Sequence, residues 1–219
     1  VDHSIRQPAG VEGKAEKAFG WKLAKQGYVT FCPRNFLWPT DDKIEAAAES
    51  AGLSKRHPDS KGMAKMLYDA MLAVDILVAQ PNVDSQRIGA IGHSLGAKEV
   101  LYLAAFDERV KVSVSSEGGI GTRFSNWEAP WYLSREIRGK EFVREHDEVL
   151  ALVPPQAFLL VGGESADGDR SWPFIQSVLP VYRLYQSPPR LGLYNHRHGH
   201  SVPPLAERHI YEWMATYLP

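Results

Sequence analysis

The chain has 219 residues, of which 44% are apolar, 23% charged and 11% aromatic, with 25 basic against 26 acidic side chains. That apolar fraction excludes a disordered chain, and a net charge of −1 gives no electrostatic footprint for nucleic acid or an anionic membrane. No apolar run approaches the length of a membrane-spanning helix, and a single cysteine, Cys32, excludes an internal disulfide and a cysteine-rich metal site.

Taken in chain order, short β-branched runs alternate with stretches of helical period. Tyr28-Val29-Thr30-Phe31-Cys32 predicts a strand stopped by Pro33. Residues 34–62 lack a strong period and read as a surface excursion. Met66, Ala70, Val74 and Leu77 mark one face of a helix that ends at Pro81-Asn82. Arg87–Gly92 is short and apolar enough for a strand buried on both faces. Leu95–Phe106 has helical composition, and Val110, Val112 and Val114 alternate as a third strand. The stretch 118–150 carries Trp127, Trp131 and Tyr132, a set that suits either a cap over a site or plain core filling. Ala157–Val161 and Leu191–Tyr194 are the fourth and fifth strands, with a helix from about Phe174 to Tyr185 between them. Leu205, Ile210, Trp213 and Tyr217 mark a closing amphipathic helix.

This alternation predicts an α/β fold, a mostly parallel sheet with helices on both faces, as one domain over 1–219. Ligands on such sheets sit beyond the carboxyl ends of the strands. The loops after Gly92, Ser115, Val161 and Asn195 are therefore where chemistry is expected.

Gly92-His93-Ser94-Leu95-Gly96 is a G-x-S-x-G sequence between a predicted strand and a predicted helix, the setting of a nucleophile elbow. A serine exposed on a tight, strained turn needs small neighbours, which Gly92 and Gly96 supply. The helix start offers backbone N–H groups and the positive dipole end to an oxyanion, with the Leu95 amide as first donor. The other reading is a turn serine that caps the helix.

A serine hydroxyl needs a base and an orienting acid. Of eight histidines, His196, His198 and His200 follow the last strand, where the Ser…Asp/Glu…His order puts the base. His200, beside Gly199, is favoured over His196. His-x-His-x-His also has a metal-ligand reading, since alternate strand residues point the same way. His93 and His209 read as a packed elbow neighbour and a residue of the closing helix. For the acid, Asp167 and Asp169 both follow the fourth strand; Asp169 is placed to cap the next helix, which favours Asp167. Glu117, after the third strand, is an auxiliary or alternative acid, or a loop residue held by the amides of 118–121. No G-x-G-x-x-G stands at a strand–helix junction, so no redox cofactor is suggested, and a serine mechanism requires no metal. Trp127, Trp131, Tyr132 and Trp172 offer stacking surfaces for a sugar or aromatic acyl group, or core.

The segments 92–99 (Gly-His-Ser-Leu-Gly-Ala-Lys-Glu), 107–109 (Asp-Glu-Arg), 116–121 (Ser-Glu-Gly-Gly-Ile-Gly) and 126–132 (Asn-Trp-Glu-Ala-Pro-Trp-Tyr) resemble the α/β-hydrolase superfamily. The nearest branches are the dienelactone-hydrolase-like and acetyl-xylan-esterase-like enzymes. A more distant similarity to bacterial glucuronoyl esterases runs through Gly-His-Ser, Ala166-Asp167 and Pro180–Leu184. It implies an acid at Asp167, or, as in some of those esterases, at the position of Glu117. Those enzymes carry an arginine directly after the nucleophile, where Leu95 stands here. The resemblance also implies two or three strands and an oxyanion loop before Gly27, which only 26 residues precede. The chain is therefore expected to be the C-terminal part of a longer one, with a second oxyanion donor near His3–Ile5. Together these readings predict a serine hydrolase of carboxylic esters with Ser94, His200 and Asp167 as its triad. Peptidase and lactone-hydrolase activities on the same serine, and a non-catalytic binding role, are the alternatives.

Overall fold

In the computed structural model, residues 5–40, 43–185 and 188–218 are described, and they divide into two compact units. The first comprises 1–77 and 126–143, the second 78–125 and 144–219.

The second unit is built on a four-stranded sheet in the order β1 (Ile88–His93), β2 (Val110–Ser116), β3 (Ala157–Gly162) and β4 (Leu191–Asn195), with every pair parallel. Four of the predicted strands are thus present, within a residue or two of their expected limits. Parallel strands need crossover helices, which are α4 (Leu95–Phe106), α5 (His146–Leu150) and α6 (Trp172–Arg183); α7 (Pro204–Tyr217) closes the chain. β3 is buried along its whole length, as its unbroken Ala-Phe-Leu-Leu-Val run requires. Its Phe158 and Leu160 pack with Leu101 and Ala104 of α4 and with Ile175, Val178 and Tyr182 of α6. On the other face, the lack of a side chain at Gly89 makes room for Met214 of α7, and Trp213 of the same helix lies over Gly192. Helices therefore cover both faces, as expected.

The first unit holds α1 (Phe19–Lys25), α2 (Ala46–Arg56) and α3 (Gly62–Val78). The predicted strand at Tyr28–Cys32 is not formed: the segment pairs with no strand among the described residues, and Val29 and Phe31 remain 45% and 42% exposed. An alternating apolar run without a ladder partner leaves its backbone to water. The expected surface excursion at 34–62 contains α2 and buries Leu37, Trp38 and Leu53. That helix escapes a search for period because it rests on alanine propensity and buries only Ser50 and Leu53. Trp127 and Tyr132 prove to be core, with ring centroids 5.7 Å apart and 1% and 4% exposure. The Met63 amide donates to the carbonyl of Tyr132, which fixes that segment against the start of α3.

Candidate active site

A non-glycine residue with positive φ follows each strand of the sheet: Ser94 (60°) after β1, Glu117 (54°) after β2, Glu164 (70°) after β3 and Arg197 (60°) after β4. Such conformations cost on the order of 1–3 kcal/mol each and persist where the surroundings over-determine them. Here they aim side chains across the carboxyl edge of the sheet.

At Ser94 the sharp turn has φ 60° and ψ −113°, and its amide donates to the carbonyl of Ser116 at 2.8 Å. A side chain at Gly92 would lie 2.1 Å from the carbonyl oxygen of Gly96, so only glycine lets the strand meet the helix there. The expected need for a small residue at 96 is not met by the structure, because a Cβ on Gly96 would touch nothing. Leu95 opens α4, where the first N–H groups of a helix lack intrahelical acceptors. Ser94 is half-buried, and its hydroxyl forms no hydrogen bond to His200 among the described residues. His3 and Ser4, part of the segment expected to supply a second oxyanion amide, lie outside the described residues.

His200 Nδ1 lies 3.4 Å from Oε2 of Glu117. Glu117 is 1% exposed, and its carboxylate also accepts the amides of Gly163 and Ala166, the latter at 2.6 Å. Burial pushes its pKa up, but the bonds from His200 and the two amides outweigh this and hold it below the ordinary glutamate value. The carboxylate is therefore charged near neutrality and faces the imidazole.

The expected pairing of Asp167 with His200 is not formed. Asp167 is fully buried, and its oxygens accept the amides of Gly119 (2.7 Å) and Ile120 (2.8 Å) and the hydroxyl of Ser171 (2.9 Å). Desolvation raises its pKa against those three donors, and the neighbouring charge of Glu117 adds to the rise. The two carboxylates thus tie two loops reciprocally. Glu117, from the loop after β2, holds amides of the loop after β3; Asp167, from the loop after β3, holds amides of the loop after β2. Asp169 does not cap α6. It begins a 3₁₀ turn at Asp169–Ser171, and its exposed carboxylate binds Asn195 (2.8 Å) and Arg197 (2.6 Å).

The alternation that a metal reading of His196, His198 and His200 requires is broken, because β4 ends at Asn195 and both Arg197 and Gly199 have positive φ. Among the described residues no three His, Cys, Asp or Glu side chains form a group that holds a metal. His196 is buried and lies on Gly163, where a Cβ would sit 2.4 Å from its Cε1, and its Nδ1 accepts the His198 amide. His209, on α7, packs edge-on against Tyr194 and lies outside this cluster. Trp172, at the start of α6, is 46% exposed.

A second buried histidine, missed in the sequence, fastens the same loop. His146 Nδ1 donates to the carbonyl of Ile120 at 2.8 Å, and Tyr102 donates its hydroxyl to Nε2 at 3.0 Å. Desolvation lowers its pKa to about 4, so the ring is neutral and fills both roles. The carboxylate of Glu145 accepts from the amide and hydroxyl of Thr122, adding a further tie. Nothing in the local sequence marks His146, since both partners are distant along the chain.

Among solved structures, the glucuronoyl esterase from Solibacter usitatus superposes with a TM-score of 0.62 at 20% identity, covering 74% of this chain and 50% of that one. The catalytic domain of a glucuronoyl esterase from Hypocrea jecorina gives 0.62 at 15% identity, covering 73% and 52%. These likenesses concern the fold. Dipeptidyl-peptidase 5 of Porphyromonas gingivalis is 27% identical over 143 residues, which is 61% of this chain and 19% of that protein. The chain thus spans about half the length of the similar structures and a smaller share of the curated relative. The dienelactone hydrolase family matches residues 5–130, more than half of the sequence and inclusive of the elbow and Glu117. With an α/β-hydrolase sheet and a serine elbow at its carboxyl edge, the chain belongs to the dienelactone hydrolase family.

Proposed function

We propose that this chain is a serine hydrolase of carboxylic esters, with Ser94 as nucleophile, His200 as base and Glu117 as the acid that orients it. The observation that carries the reading is the hydrogen-bonded approach of His200 Nδ1 to a buried, ionised Glu117, with the ring of His200 4.6 Å from that of His93, the residue before a serine held at φ 60°. A proton kept on Nδ1 and donated in a hydrogen bond to the Glu117 carboxylate leaves Nε2 unprotonated to take the serine proton. Serine Oγ then attacks the carbonyl carbon, and the alkoxide it creates is held by the Leu95 amide, a donor worth about 2.7–4 kcal/mol in comparable sites. His200 returns the proton to the departing alcohol, and a water deprotonated by His200 releases the acid from the acyl-serine. Asp167 supports this arrangement by holding the loop that carries Glu117, which takes over the acid role expected of Asp167. No step requires a cofactor.

Esters of carbohydrates and of aromatic acids form the first substrate panel, because Trp172 presents an exposed ring close in sequence to Asp167. The test is p-nitrophenyl acetate hydrolysis by the wild type and by Ser94→Ala, with fluorophosphonate labelling of Ser94. Turnover and labelling lost only in the variant support the reading; a folded wild type that neither turns over nor labels overturns it. Faster cleavage of a peptide anilide or an enol lactone than of any ester would move the assignment to a peptidase or a lactone hydrolase.

A further inference from the structure

His93 stands immediately before the nucleophile, and its ring is 8% exposed, too buried to meet a substrate broadly. Its centroid lies 4.6 Å from that of His200, with the ring planes inclined by 51°. Its Nδ1 is 3.1 Å from Ser116 Oγ, and Ser116 is itself fully buried at the end of β2. The Ser116 carbonyl accepts the Ser94 amide. One residue therefore fixes both the elbow and the ring that touches the base.

We propose that His93 is a positioning residue for His200, a role that rests on His200 being the base. Besides its tether to the backbone, the imidazole of His200 is held by one long contact, Nδ1 to Glu117 at 3.4 Å, which leaves room for the side chain to rock. A base must keep Nε2 aimed at the serine hydroxyl, and a misplacement of about 1 Å costs on the order of a hundredfold in rate. The ring of His93, anchored through Ser116 on the sheet and tilted 51° to that of His200 at 4.6 Å between centroids, limits that rocking from one side. The elbow thus supplies its own guide for the imidazole: residue 93 orients the base while residue 94 supplies the nucleophile. What matters at 93 is a planar ring, since the contact with His200 is ring to ring.

The experiment compares His93→Leu, which fills the volume without a flat face, with His93→Phe, which restores one. Both are assayed for kcat and KM on p-nitrophenyl acetate, with thermal melts alongside. The expected result is a fall in kcat of about tenfold to a hundredfold for H93L, with KM within about twofold, and recovery of most of the loss in H93F. Wild-type kcat in H93L, or equal impairment in both variants, overturns the proposal. A second readout is the proton spectrum of His200 in the wild type and both variants. Its ring protons are expected to be displaced by the ring current of His93, so that they move in H93L and return towards the wild-type position in H93F; signals unchanged in H93L refute the contact. Ser94→Ala and His200→Ala serve as controls: activity retained in either one overturns the serine-hydrolase reading itself, whatever happens at 93.

Discussion

Acid is expected to loosen the loop of Glu117 before it protonates Glu117, and the reason is His146. In the folded chain this ring is 3% exposed and stays neutral down to about pH 4, whereas an unfolded histidine titrates near 6.5. Its folded pKa is depressed, so between those values the unfolded chain binds more protons, and stability falls as pH falls from about 6.5 towards 4. At 1.36 kcal/mol per tenfold, the limiting loss is about 3 kcal/mol, of which about 2.4 kcal/mol accrues between pH 7 and 4.5. That is a large part of the 5–15 kcal/mol a domain typically holds. The perturbation is His146→Gln, which keeps a donor for the Ile120 carbonyl but does not titrate. Urea unfolding at pH 7, 6, 5 and 4.5 then gives the stability difference between wild type and variant. Whatever constant penalty the substitution carries cancels, and the wild type should lose about 2.4 kcal/mol relative to the variant over that range. A difference constant to within about 0.5 kcal/mol would refute the reasoning, because it would mean that His146 binds protons alike in the folded and unfolded chains, as a solvated ring does.

Other expectations separate the two carboxylates and the two glycines of the elbow. Glu117→Gln should lower kcat by about 10²–10⁴-fold with little change in KM, while Asp167→Asn should cost about tenfold; steady-state kinetics with an aryl acetate decide between them, and the reverse order would return the acid role to Asp167. Asp167 has a raised folded pKa, so the folded chain binds more protons than the unfolded one and its contribution to stability falls as pH rises above about 3.9. The melting temperature of D167N should therefore gain on the wild type between pH 4 and 7; a constant gap would count against a desolvated carboxyl. Gly92→Ala should abolish soluble, active protein, since its Cβ would sit 2.1 Å from the Gly96 carbonyl. Gly96→Ala should raise stability by about 0.5–1 kcal/mol, as its Cβ meets open space within a helix. Chemical unfolding of the two variants checks both.

The sheet of the second unit and its elbow were legible because their residues carry local signals. The apolar runs of β1–β4 are strands of about the expected length, with β2 and β3 largely buried, β1 buried only in part against the expectation and β4 half-buried, and G-x-S-x-G between strand and helix marks a turn that Gly92 alone can make. The place of His200 at the carboxyl edge, facing a buried carboxylate, follows from its position after the last strand. Which carboxylate faces it is not legible in the sequence, because Glu117 and Asp167 follow neighbouring strands and both are buried carboxylates at the same edge. What distinguishes them is which loop's amides each oxygen accepts, and that depends on the φ of 54° at Glu117, a backbone property no glutamate advertises. α2 escaped for a related reason, being a helix of propensity with little buried face. Tyr28–Cys32 has the composition of a strand, but a strand is a pairing between segments, and composition does not supply the partner.

The reciprocal tie between the two loops also bears on how enzymes of this shape can be diversified. Loop grafting treats each turn at the top of a sheet as an interchangeable part. Here the turn after β2 contributes the receptor for the backbone of the turn after β3, and the reverse also holds. A donor turn brought in alone would arrive with amides unanswered and would strand a buried carboxylate in its neighbour, at a cost of about 1–3 kcal/mol for each orphaned group. Recombination libraries should therefore inherit 117–120 and 163–167 together from one parent, as a single two-part cassette, while the turn at Ser94 is left in place.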